Sequence, residues 1–281
     1  MTAAVFFPAT AVGLVGGTLV GMTGVGAGSV IAALLLVFYP SVSPQVIVGS
    51  ATMQAVAMKL AGVLARRQFQ LNERGLGYAM AAGAIPLAIA GAWFSSRLAG
   101  ATLRPILAAV LVAVGTLLVV QTFWQRRKQV GAARITEGHA TGDLARATPG
   151  VAGGAASPTR DPSLASVGAL GAAVGFIAGL TSVGTGTLFV SALAGPLRVD
   201  VHRAVGAALV AGLLTLILSG ITHGLLGHFD AALVAGSCLG SIPGVLLGTA
   251  LSRRIHPHAL RGVVGAGIVV AAVVSVMRLR G

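Results

Sequence analysis

The chain has 281 residues, 56% of them hydrophobic and 9% charged, with a mean hydropathy of +0.93. A soluble domain carries roughly a quarter of its residues as charges, so this composition excludes a water-covered globule and points to a protein that crosses a membrane throughout. The formal charge of +13 would suggest nucleic acid in a soluble protein. Here most Lys and Arg lie between apolar windows, where membrane topology places them, and no nucleic-acid partner is expected.

The amino-terminal MTAAVFFPATAVG has no basic residue ahead of its apolar run, so no cleaved signal peptide is expected. Apolar windows near the length of about 20 residues that a crossing needs lie at 9–38, 45–66, 75–95 and 102–124. Residues 125–162, rich in Gly, Ala, Pro, Thr and charge without an apolar period, predict a flexible linker. Four further windows follow at 163–195, 202–224, 230–250 and 257–277. The expected organisation is a membrane repeat at 1–124, a cytoplasmic linker at 125–162 and a second membrane repeat at 163–281.

The two halves are related. GMTGVGAGS (21–29) matches GLTSVGTGT (179–187) at an offset of 158, and VGSA (48–51) matches VGAA (205–208) at 157. GAIPLAIAG (83–91) matches GSIPGVLLG (240–248), again at 157. Three collinear matches at a near-constant offset indicate duplication.

The first window of each half is too long for one simple span and is interrupted at mid-length by glycines, Gly21 to Gly28 and Gly179 to Gly186. Either it is one broken helix, or two half-helices form a hairpin that does not cross. Charge separates these readings, since each crossing flips the side of every later loop. Eight straight crossings split the loop cations 11 to 7. With two hairpins the split becomes 14 to 4, leaving Arg97, Arg104, Arg278 and Arg280 as the minority. The hairpin arrangement follows the positive-inside rule better. Three crossings per half is an odd number, so the expected fold is all-α and polytopic, with two inverted repeats, each a glycine-broken hairpin plus three transmembrane helices. Both termini would face outward.

Glycine-broken helices at membrane depth leave backbone N–H groups without intrahelical partners, and their partial positive charge suits an anion. The candidate binding residues are Thr23, Gly24, Val25, Gly26, Ala27, Gly28 and Ser29, with Ser182, Val183, Gly184, Thr185, Gly186 and Thr187. The competing reading is close helix packing through small residues, which fits Gly236, Gly240, Gly244 and Gly248 best. Without a preceding strand or a following lysine, GxGxG is a poor nucleotide motif.

Lys59 is the one ionisable residue well inside a window. It either faces the pathway or snorkels toward the inner end. At 100° per residue it shares a face with Thr52, while Ser50 and Gln54 fall opposite. Six carboxylates, Glu73, Glu137, Asp143, Asp161, Asp200 and Asp230, lie in loops or at window ends, so a relay built on buried acids is not supported. Pro86 and Pro243 are matched kinks. His223 lies at a span end, where a satisfied interfacial histidine and a ligand contact are the two readings. Cys238, alone in GSCLGSIPG, excludes an internal disulfide and any two-thiol metal or redox site. No cofactor, metal or catalytic group is expected, and an enzyme is not the reading.

GMTGVGAGSVIAALLL followed by VGSATMQAVAMKLAGVLARR, with GLTSVGTGTL and ITHGLLGHFDAALVAGSCLGSIPGVLLG in the second half, resembles the TauE/SafE sulfite exporter family, also called the toluene sulfonate uptake permease family. The resemblance covers nearly the whole chain except the linker. It implies a multi-pass inner-membrane secondary transporter for sulfite, a sulfonate or a related oxyanion, export being the expected direction. A carrier or channel for another small anion or organic acid is the alternative, and a non-transporting scaffold the weaker one. Carried over as substrate-binding are the two glycine-rich stretches, Lys59 and His223. Where members often have an acidic or hydroxyl residue after the second-window glycine, this chain has Ser50 but Ala207 and Ala208. The partners expected are a small anionic substrate and the lipid bilayer, and assembly into a homo-oligomer is left open.

Overall fold

Apolar windows leave the backbone no water to bond, so each must satisfy its peptide groups within itself, as α-helix. The computed structural model describes residues 2–23, 26–66, 74–138, 162–252 and 257–277, and the regular elements among the described residues are all helices. In chain order the first half holds α1 (Thr2–Thr23), α2 (Ala27–Phe38), α3 (Pro44–Arg66), α4 (Arg74–Arg97) and α5 (Gly100–Gly138). The second holds α6 (Leu164–Thr181), α7 (Thr187–Ala194), α8 (Val201–Leu225), α9 (Ala231–Leu251) and α10 (Pro257–Met277). Among the described residues six helices are long and apolar enough to cross a membrane: α1, α4, α5, α6, α8 and α9.

Local chemistry starts these helices and satisfies several of their hydroxyls. The Ser163 hydroxyl accepts the Ser166 N–H at the start of α6, and the Asp230 carboxylate accepts the Leu233 N–H at 2.8 Å at the start of α9. Inside the helices, Thr10, Thr52, Thr122 and Thr215 each donate to the carbonyl four residues earlier.

Two features differ from the sequence-based expectation. Helix α5 continues to Gly138, because Gln, Arg, Lys and Ala after Thr122 are good helix formers. The start of the segment expected as linker is therefore helical, while 139–161 lies outside the described residues. Second, the arms of each broken window are unequal rather than two half-helices. Helix α1 has 22 residues against 12 in α2, and α6 has 18 against 8 in α7. Pro40 follows α2 closely, and Gly195–Pro196 stops α7 after two turns. The first window still doubles back. The Tyr39 hydroxyl, just past α2, donates to the Val5 carbonyl at 2.9 Å, near the start of α1.

The halves exchange helices. Helix α1 lies along α9, and α6 along α4. A Cβ at Gly13, Gly17 or Gly21 would overlap the backbone of Ser237, Ser241 or Val245. From the other side Gly236, Gly240, Gly244 and Gly248 meet the carbonyls of Phe6, Thr10, Leu14 and Thr18. Gly171, Gly175 and Gly179 of α6 meet Met80, Ala84 and Ala88 of α4 in the same way. Small residues let these backbones touch, so dispersion over a long seam replaces the hydrophobic effect that lipid cannot supply.

Equivalent helices run antiparallel. Along α3 and α8, Thr52 meets Gly220 and Lys59 meets Gly212, so one number rises as the other falls. Along α5 and α10, Gly115 meets Val269 and Thr122 meets Gly262. These pairings define two ends of the bundle. At the first, Gln45 donates to the Leu98 carbonyl at 2.8 Å, Arg104 donates to the Val42 carbonyl at 2.9 Å, and Gly49 touches His228. At the second, Gly77 touches Ala207 and Val210 near the starts of α4 and α8.

Candidate functional site

The glycine-rich breaks of the two halves meet each other. A Cβ on Gly26 would stand 3.3 Å from the Gly186 nitrogen, one on Gly186 would stand 3.0 Å from the Gly26 α-carbon, and one on Gly28 would overlap the Ser182 carbonyl. The pairing is again antiparallel. Close backbone contact needs residues without side chains at these points, and the second break also uses left-handed backbone, with φ +100° at Gly184 and +61° at Ser182. These breaks begin α2 and α7, whose first turns carry N–H groups with no earlier helical carbonyl in register. Some are already engaged: Ser29 N–H reaches the Gly26 carbonyl at 3.2 Å, and Leu188 N–H the Gly184 carbonyl at 2.9 Å.

Hydroxyls gather at the second break. Ser182 and Thr185 are buried, and neither hydroxyl has a partner; nor does that of Thr187. In the first break Ser29 is buried with its hydroxyl on the Gly26 carbonyl at 2.8 Å, while Thr23 donates to Leu19. Ala27 and Val183 turn their side chains into the apolar core, leaving only backbone to offer. Gly24 and Val25 lie outside the described residues.

Lys59 reaches this place from α3. Its Nζ donates to the Thr185 carbonyl at 3.3 Å and lies against Gly212. The ammonium thus points into the second break rather than along its helix toward the end. At the offset of 157 its counterpart is Leu216, so the cation breaks the symmetry of the halves.

His223, two residues from the end of α8, is fully buried within the protein, and its Nε2 lies 3.0 Å from the Gly179 carbonyl, one turn before Ser182. Two residues that sequence reasoning left out of the site lie near His223, and a third, Gln54, is buried toward α9. Ser219, buried with an unpartnered hydroxyl, and Thr215 lie one and two turns before His223 on α8. The four-residue spacing of 215, 219 and 223 could have shown this polar stripe. Gln54, on the opposite face of α3 from Lys59, donates to the Ser237 carbonyl at 3.2 Å and leaves its Oε1 unpartnered.

Against known proteins, the family model described as sulfite exporter TauE/SafE matches residues 9–275. The chain belongs to the TauE/SafE family. A Bacillus subtilis (strain 168) protein described as "Probable membrane transporter protein YjnA" is 28% identical over 266 residues, covering 92% of this chain and 95% of that one. No solved structure matches. This TauE/SafE chain is therefore a membrane transporter built wholly of helices among its described residues.

Proposed function

We propose that the chain is a secondary carrier of the inner membrane that exports a small sulfur oxyanion, sulfite or a sulfonate, bound where the two breaks cross. The observation that carries the reading is the meeting of Gly26 and Gly28 with Gly186 and Ser182, beside buried unpartnered hydroxyls and the Lys59 ammonium. A tetrahedral or pyramidal oxyanion suits convergent N–H and hydroxyl donors together with one cation. Antiparallel equivalent helices support inverted repeats, and rocking one repeat against the other would open the crossing to each side in turn. Binding and release complete such a cycle, with no catalytic step.

The test is counterflow of labelled sulfite and methanesulfonate, against chloride, in proteoliposomes of the purified chain. Saturable sulfur-anion exchange is expected, with chloride a weak competitor. Lys59→Met, which keeps most of the apolar stem, should weaken anion affinity about ten- to a hundredfold, the range of a charge-assisted hydrogen bond. Unaltered affinity in a well-inserted Lys59→Met protein would remove the ammonium from the site.

A further inference from the structure

His223 carries a chemical signature that the anion site alone does not use. A carbonyl only accepts, so the 3.0 Å contact with Gly179 requires the hydrogen to be on Nε2. Nδ1 is then a bare acceptor, and it is buried without a partner. One turn away along α8, the Ser219 hydroxyl is also buried and unpartnered, and one turn beyond Gly179 so is that of Ser182. Buried groups left without partners are unfavourable, so the transport cycle should fill them. A deprotonated oxyanion cannot satisfy Nδ1, because two lone pairs would face each other. A proton that arrives with the anion turns Nδ1 into a donor that can meet it.

We propose that the carrier moves its anion together with one proton, and that the proton rides on Nδ1 of His223. The inference rests on the anion-carrier reading above. On the loading side, water delivers H+ to the Nδ1 lone pair. The imidazole becomes an imidazolium that keeps its Nε2–H on Gly179 and offers Nδ1–H to the anion at a separate station of its path, about 16 Å along α8 from the Lys59 contact. On the other side anion and proton both leave, the neutral ring returns, and the cycle moves no net charge for a monovalent anion, so export runs on the anion's own outward gradient and an inward proton gradient drives the reverse direction.

The groups around His223 leave one other candidate for this role. The His228 ring is 5.9 Å away, centre to centre; its backbone N–H is held by the His223 carbonyl, and its own Nδ1 is likewise without a partner, so His228 is the competing proton carrier that the test below separates. From α3 comes Lys59, but it meets α8 at Gly212, eleven residues and roughly 16 Å along the helix. From the start of α9 comes Asp230, whose N–H bonds Ser50 and whose carboxylate caps its own helix. On α4, Arg97 stacks over Trp93. The α6 residues at the contact, Gly179 and Ser182, do not titrate.

The test uses methanesulfonate, which stays ionised across the aqueous range and so cannot bring the proton itself. With the full chain in proteoliposomes, counterflow reports the carrier, while a gradient of about one pH unit and a lumenal pH dye report the coupling. One proton per anion should accumulate the anion up to about tenfold on the more alkaline side, the factor one pH unit supplies, and a membrane potential alone should drive nothing. His223→Gln keeps an amide donor for Gly179 but cannot be protonated. In that variant exchange should slow, and what remains should ignore the pH gradient and respond to potential. Counterflow without proton movement in the unaltered protein would overturn the coupling while sparing the anion carrier. Absent counterflow would instead sink the carrier reading. A variant lacking all exchange leaves the decision to the dye measurement on the unaltered protein and to His228→Gln. Loss of coupling in His228→Gln, with coupling intact in His223→Gln, would overturn the assignment.

Discussion

A methyl group at Gly26 meets the Gly186 nitrogen at 3.3 Å, tighter than ordinary contact but without a hard overlap. Gly26 has φ −52°, open to any residue, so Gly26→Ala changes the space between the breaks without straining its own backbone. Anion affinity should fall several-fold in this variant while its melting temperature stays near that of the parent. Gly184→Ala should do worse on both counts, because φ +100° is left-handed and the new methyl overlaps the Leu188 side chain. Titrating purified, correctly inserted protein with methanesulfonate measures this. Unchanged affinity in both variants would take the crossing out of the site. At this scale the sequence showed which glycines recur but not which backbone each would touch. The 100° wheel separated Lys59 from Gln54 correctly and could not say that one faces the second break and the other α9. His223 was legible only as a residue near a window end. Its burial depends on α6 running deep enough to put Gly179 beside it, which no local pattern encodes.

Helix seams impose a different requirement, since the atoms that a side chain would strike there are backbone. Gly175→Ala would drive a methyl into the backbone of Ala84 on α4, which cannot rotate away, and overpacking of this kind costs about 1–3 kcal/mol. Gly267→Ala, on the exposed face of α10 with nothing within 4 Å, should be neutral or stabilising by about 0.5–1 kcal/mol through helix propensity. Thermal unfolding in detergent compares the two. A Gly175→Ala protein as stable as Gly267→Ala would mean that the α4–α6 seam is looser than the close contacts imply. Pro86, exposed on α4, should tolerate Ala with little change. The spacing by four in Gly236 to Gly248 read correctly as a packing face. Its partner did not, because α9 packs on α1 from the other half, and periodicity identifies a face without naming what covers it. The unequal arms of the broken windows escaped for a related reason. Residues on both sides of each break are equally apolar, so composition marks the glycines while prolines and tertiary contacts set the lengths.

For the whole molecule, the contacts sort helix termini into two ends, and the charges follow that sorting. The first end gathers Leu98, Pro40, Ser50 and Asp230, with Arg97 and Arg104 as its described Lys or Arg residues. The second end gathers the close of α3 and the starts of α4 and α8, with Arg66, Arg74 and Arg203. Counting along the sequence with two hairpins had put Arg97 and Arg104 in a minority of 4 against 14. Loop charge was legible because it is local and needs no knowledge of packing. The positive-inside rule, which retains basic loops in the cytoplasm, predicts that the second end faces inward. Single cysteines in a Cys238→Ala background test this with a membrane-impermeant maleimide on intact cells. Ala99→Cys, exposed between α4 and α5 at the first end, should label from outside. Pro196→Cys, exposed between α7 and α8 at the second end, should label only after the membrane is opened. The two positions are informative as a pair. If α6 and α7 formed one broken crossing instead of a hairpin, residue 196 would move to the other face while residue 99 stayed, so external labelling at both would reject the hairpin in the second half. External labelling at 196 alone would instead invert the whole molecule, and with it the direction assigned to the basic loops.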